Sequence, residues 1–368
     1  MKKFKKAFAV FLAVMICLAS TGCSSIMEMV MEGAGSEPVD LSKLDAGSYE
    51  GDFYDLDTFE NLPEKFSKAT PAFWRCTDDE GHEIYFLGSI HVADDSAYRF
   101  NKKIMDKFID ADALAVEVDI SEFESNYIAQ IKMSAQYMYL DGSKVTDHIS
   151  QELHDELVKV IEKRPATLEM IGGKVESLDM FKPVMWESLL DNIVVEECGL
   201  DSTLGIDQHF LNLANEMGKS ILEVESIQFQ SDFLANQPDE YYEMTLSGYL
   251  EDGIELQAEG TKELYEMWKK GDVKELTDAL AYEKIDYTLE ENGGLTEEQA
   301  KIYDDFSYGI GPERNKGMAD KAEEYLASGK TVFFVVGTAH FMGDEGIIEL
   351  MKDRGYNVEF LGGKNLGK

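Results

Sequence analysis

Cysteine is scarce, with four in 368 residues. Cys17 and Cys23 fall in the first 23 positions, leaving only Cys76 and Cys198 for the rest of the chain. That excludes a cysteine-built metal site, which needs more thiolates in one place. A single Cys76–Cys198 disulfide stays open for a protein in an oxidising compartment. Basic residues are few as well: 34 Lys and Arg against 72 Asp and Glu, a formal charge of −38. At that charge, binding nucleic acid by neutralising phosphates is excluded, as is electrostatic attachment to anionic lipid. Beyond the N-terminus no apolar run is long. Thr331–Val336 is strand-length, whereas a helix needs about 20 apolar residues to cross a bilayer. The chain also lacks a Gly-x-Ser-x-Gly elbow, a His-Glu-x-x-His helix, a Walker loop and a Rossmann glycine fingerprint, and with them the commonest hydrolase and nucleotide-binding readings.

The N-terminus has the layout of a secretory signal: Lys2, Lys3, Lys5 and Lys6, an apolar run from Ala7 to about Leu18, then small residues up to Cys23. Ser20-Thr21-Gly22-Cys23 reads as a lipoprotein cleavage box, with Ser20 where Leu is usual. The expectation is a signal peptide over 1–22 and a lipidated Cys23 that holds the exported chain on the outer face of the membrane. The first 22 residues carry four lysines and no acid, so a cleaved chain is more acidic still. A flexible tether rich in Gly, Ser, Glu and Asp is expected over 23–66, and one domain over 67–368.

Within that domain, five short apolar runs predict strands: Ile84–Ile90, Ala113–Val118, Ser220–Val224, Thr331–Val336 and Asn357–Leu361. Several are apolar at consecutive positions, as strands buried on both faces are. Helical patterns over Ala97–Phe108, Pro312–Leu326 and Gly346–Arg354 separate them. This alternation predicts an α/β fold, a mostly parallel central sheet with helices on both faces. A largely helical insertion is expected over about 121–310. Its Tyr, Phe and Met residues read as a cap packed on the sheet. Asp272-x-x-Glu275 and Thr296-x-x-Gln299 suggest capping boxes there.

Gly88-Ser89-Ile90-His91 ends the first predicted strand, and Gly337-Thr338-Ala339-His340 ends the fourth. One Gly-x-x-His is weak evidence. Two, each at the carboxyl end of a buried-type strand, place both imidazoles where open α/β sheets bind ligands. Gly88 and Gly337 would let the backbone turn and approach a ligand; the simpler reading has both histidines bonding loop backbone. Glu117 ends the second strand and Glu225 the third. A carboxylate there is costly to bury unpaired, so a metal, an Arg or a charged His should satisfy it. Glu223 and Asp119 are less favoured. Pro312 suits a first helical position, which puts Arg314 in a first turn, where a cation opposes the helix dipole. Arg314 also shares the Met318, Ala322, Tyr325 stripe. It should point inward at an anion, unless it snorkels to solvent. Asn315 beside it could cap or bind. Asp207 reads as a helix cap, and His82, His148, His154 and His209 as turn or helix-surface residues. Two imidazoles and a carboxylate match a hydrolytic metal site with a position open to water. A metal-free site, with a His as general base and Arg314 stabilising charge, is also coherent but the weaker option.

At these residues the sequence resembles the TraB/PrgY/GumN family. The likeness runs through Phe86–Val92, Val116–Asp119, Gly205–Asp207, Gly218-Lys219 leading to Glu225 and Gln230, Glu313–Met318, Val335–Gly343 and Gly355-Tyr356, in the family's order. The family includes pheromone-shutdown proteins and is similar to the animal Tiki metalloproteases that clip secreted Wnt. The resemblance implies a sheet similar to that of erythromycin esterase and ChaN-type proteins. It also implies a membrane-associated metal-dependent peptidase acting on a peptide or protein outside the cytoplasm. The divalent ion would be Mn, Co or Zn, with His91, His340, Glu117 and Glu225 as candidate ligands and Arg314 as a further catalytic residue. The lipobox departs from the Tiki pattern of a C-terminal membrane helix. A lipoprotein that binds and sequesters a peptide or small ligand in the same cleft is the alternative.

Overall fold

The computed structural model describes residues 69–363, apart from 99, 121–126, 287 and 289–294. The expected signal peptide, Cys23 and the tether lie outside the described residues. No helix among the described residues is long and apolar enough to cross a membrane.

Six strands form one mixed sheet: β1 Phe73–Thr77, β2 Glu83–Ser89, β3 Ala113–Val116, β4 Ser220–Glu223, β5 Val332–Gly337 and β6 Asn357–Phe360, in the order β4-β3-β5-β2-β1-β6. β2, β3, β4 and β5 are mutually parallel, and β1 runs against both β2 and β6. The α/β class follows from this order. β1 escapes the sequence reading because Arg75 and Thr77 leave its apolar pattern short and broken. It is held as a hairpin partner of β2 across a tight turn in which Asp78 Oδ1 accepts from the Glu80 and His82 N–H groups.

β3 and β5 are buried along their whole length, as their unbroken apolar runs require. Successive residues of β5 serve opposite faces. Phe333 packs against Phe108 of helix α1 (Lys102–Asp110) and Phe210 of helix α2 (Ile206–Glu216). Phe334 packs against Tyr325 of helix α3 (Arg314–Ala327). The edge strands β4 and β6 are half-exposed instead.

Cys76 and Cys198 are both buried and free, so the disulfide that the sequence left open is not formed. Two expectations need correction. His209 is not a surface residue: it is buried beside the Phe100 and Phe210 rings. Pro312 does not begin a helix. The helix over Glu297–Tyr308 runs through a π turn, Gly309–Glu313, directly into α3, with Pro312 inside the turn. Arg314 is thus mid-helix, and no first-turn dipole acts on it. Thr296 and Gln299 form the expected capping box, while Asp272 caps the backbone of Lys274 and Glu275.

Candidate active site

Because β2, β3, β4 and β5 are parallel neighbours, their carboxyl ends open on one edge of the sheet. His91 follows β2, Glu117 follows β3, Glu225 follows β4 and His340 follows β5. The Glu225 N–H donates to the Glu117 carbonyl at 2.8 Å, which carries the β3–β4 pairing on and sets the two carboxylates side by side.

Arg314 comes down on them from α3 and is only 3% exposed. Nε donates to Glu225 Oε1 and Oε2 at 3.1 and 3.0 Å. Nη2 donates to Glu225 Oε2 at 2.6 Å and to Glu117 Oε2 at 2.9 Å. The π turn matters here: one extra residue rotates the helix beyond it by about 100°, and Nη1 donates back to the Ile310 carbonyl inside that turn at 3.4 Å. Gln230 Nε2 bridges the same two carboxylates, at 3.1 Å to Glu117 Oε2 and 3.0 Å to Glu225 Oε2. Both Glu225 oxygens are thereby occupied. Burial works against charge on Arg314, but Glu225 and Glu117 raise its pKa further.

Each imidazole has a dedicated partner at Nδ1. His91 Nδ1–H donates to Asp207 Oδ1 at 3.0 Å. His340 Nδ1–H donates to Asn315 Oδ1 at 2.7 Å, and the Asn315 amide is itself fixed because Nδ2 donates to the Glu345 carbonyl at 2.8 Å. Both rings therefore turn Nε2 toward the site. Glu117 Oε1 accepts from the Gly337 N–H at 2.7 Å and lies 3.8 Å from His340 Nε2. A Cβ on Gly337 would stand 3.3 Å from Glu117 Oε1, 3.6 Å from His340 Cδ2 and 3.8 Å from His91 Nε2. The two imidazoles and a carboxylate thus surround one glycine cradle. Gly88 has a different task. A Cβ there would strike Thr338 Oγ1 at 2.6 Å, so its bareness lets β2 and the segment after β5 pack together.

The charge states derive from these contacts. Burial alone would raise the Glu117 carboxyl; the His340 ring, the Arg314 guanidinium, His91 and the Gly337 N–H outweigh it and hold it at about 2. Burial, helped by Arg314, drives the His340 imidazole down to about 3. At neutral pH His340 is uncharged, and the standing cation beside Glu117 is Arg314. For His91, burial opposes charge, but Asp207 and then Glu117 lift its pKa above the ordinary imidazole value.

Neutral His340 with its proton on Nδ1 turns a lone pair toward Glu117 Oε1. Two acceptors facing each other at 3.8 Å are favourable only around a cation or a shared proton. Two carboxylates also share one guanidinium. The donor set therefore suits a divalent ion held by His91, His340 and Glu117, with the Nδ1 partners that metal-bound histidines have. Among the described residues no three His, Cys, Asp or Glu side chains gather tightly enough to chelate an ion as they stand, so such an ion would draw the donors inward.

The sequence reading overlooked two contributors. Asp207 is not a cap, since Gly205 holds that position; it orients His91. Gln230 appeared only as a matched motif residue. Both come from loops or helices that the sheet order brings to the site, and only the resemblance gave a signal for them. Glu223 stays at the surface, where Oε1 accepts from the Asp119 N–H.

A sequence signature of the TraB/PrgY/gumN family matches residues 72–360. The chain belongs to the TraB/PrgY/gumN family. The matched span contains every residue of this site. An uncharacterized protein of Treponema pallidum (strain Nichols) is 26% identical over 174 residues, covering 47% of this chain and 49% of that protein. The chain thus spans about half the length of this relative. No solved structure matches it.

Proposed function

We propose that this family member is a metal-dependent hydrolase, cleaving an amide bond in a peptide or protein outside the cytoplasm. The observation that carries the reading is the pair of imidazoles, each fixed at Nδ1 and presenting Nε2 to Glu117 around Gly337. His91, His340 and Glu117 would hold the ion. A bound divalent metal supplies Lewis acidity and a water acidic enough to attack at neutral pH. Asp207 and Asn315 keep the rings in register. Arg314 and Gln230 hold Glu117 and Glu225 in place, which makes Glu225 an ion-pair partner in this reading rather than a ligand. An apolar cleft beside the histidines, rimmed by Glu283 and Glu345, would receive the substrate and exclude water. The N-terminal cleavage box supports export and a lipid anchor at Cys23.

The test is metal analysis of the purified mature chain together with peptide-library cleavage. Stoichiometric divalent metal, and cleavage lost both in His340→Ala and with chelator, are expected. The apolar cleft also supports a second reading, a sequestering lipoprotein. Tight peptide binding without turnover, unaffected by chelator, would establish that reading and sink the first. For the anchor, Cys23→Ala should move the protein from the membrane to the soluble fraction.

A further inference from the structure

The cleft that opens on His91 and His340 is built by elements that the chemistry does not use. Its walls come from Leu264 and Trp268 of helix α4 (Ile254–Lys270), Leu280 at the end of helix α5 (Val273–Leu280), Ile285 after it, Phe306 of the helix Glu297–Tyr308 and Ile310 in the π turn. His91, His340, Asn315 and Gly337 line the same cleft, so it is continuous with the candidate site. Among the described residues, the charged groups on its wall other than the histidines are Glu283 and Glu345. Ser89 also lines it. Its Oγ is buried and has no hydrogen-bond partner among the described residues.

We infer that this cleft is a selectivity pocket. It takes one bulky aliphatic or aromatic side chain of the substrate next to the bond that is cut. The inference rests on the hydrolase reading for the bond, but the pocket's preference is a matter of binding and is measured without turnover. Burying a Leu or Phe side chain is worth about 1.5–3 kcal/mol, a preference of at least tenfold. An acidic side chain is rejected, because the wall is mostly apolar and would strip the carboxylate of water.

The probes are the N-acetyl amides of glycine, leucine, phenylalanine and aspartate, titrated against the full mature chain by NMR. Leucinamide and phenylalaninamide should bind at least tenfold more tightly than glycinamide, and aspartamide no better than glycinamide. Gly311 lines the cleft, and a Cβ there meets nothing within 4 Å. Gly311→Leu should therefore fill the pocket and abolish the leucine and phenylalanine preference. Leu280→Ala enlarges the pocket and should shift preference toward phenylalanine, which keeps the inference testable should Gly311→Leu fail to fold. Equal binding of glycinamide and leucinamide, or a preference unchanged in both pocket variants, overturns the pocket. The preference should persist when a chelator is present. If it does while no peptide is ever cleaved, the hydrolase reading fails and the pocket stands.

Discussion

Arg314 is the residue on which the buried polar cluster depends. Its guanidinium is the cation for Glu117 and Glu225, and all three groups are largely withdrawn from water. Removing one partner of a buried ion pair leaves a charge stranded and typically costs about 3–5 kcal/mol. Arg314→Ala is expected to lower stability by about that much in urea unfolding; a loss below about 1 kcal/mol would mean that solvent reaches the cluster. Asp207 belongs to a different class, because it acts on the site through the Nδ1 of His91. Asp207→Asn should keep the fold, as judged by an unchanged melting curve, and reduce activity or metal affinity about 10–100-fold, as loss of such outer partners does. Wild-type activity in Asp207→Asn would show that orientation of His91 is immaterial. His91, Glu117, Glu225, Arg314 and His340 could be singled out from the sequence because each is a polar group where an apolar pattern ends or turns inward. Asp207 could not, because acidic residues are common in first helical turns for dipole reasons alone.

At the scale of elements, local patterning was a good guide wherever packing agreed with it. The runs of β3 and β5 are apolar at every position and are buried at every position. Pro312 misled for the opposite reason. Proline ordinarily starts a helix because it lacks an N–H, but a π turn displaces that hydrogen-bond position and allows proline inside a continuous helix. β1 was hidden because its stability comes from pairing with β2 and β6 and not from its own composition. One element end offers a sharp test. Gly271 closes α4 with φ +59, and a Cβ there would overlap the Thr70 carbonyl oxygen. Gly271→Ala therefore combines a left-handed backbone, costing about 1–2 kcal/mol, with a backbone clash. A loss above about 2 kcal/mol in chemical denaturation is expected, and a neutral result would show that the segment at Thr70 yields freely.

For the molecule as a whole, a second polar cluster governs how stability responds to pH. Glu187 and Asp191, one turn apart on the helix Pro183–Cys198, are both fully buried. Tyr249 donates to Asp191, and Tyr241, Tyr242, Tyr303 and Thr245 face the pair. Burial, then Asp191, pushes the Glu187 carboxyl well above its ordinary value of 4.5; burial pushes Asp191 from 3.8 to about 8, against the Tyr249 bond. A raised carboxyl pKa in the folded state means that the native protein holds protons the unfolded chain releases. The associated stability is complete below about pH 4 and is lost as pH rises toward about 8. The expected slope is on the order of 1 kcal/mol per pH unit for each such group. Glu187→Gln should flatten the dependence of Tm on pH over that window; a slope equal to wild type would show that Glu187 is not the proton holder. None of this was legible beforehand, since Glu187 and Asp191 look like the solvated face of an acidic helix until the surrounding tyrosines bury them. By itself, the sequence determined the α/β class, the strand ends that carry polar groups and the inward direction of Arg314, because those arise from short-range periodicity. Only the tertiary structure decided which groups meet. The β4-β3-β5-β2 order brings together residues as far apart as His91 and His340, and sheet order is settled by long-range packing that no local pattern encodes.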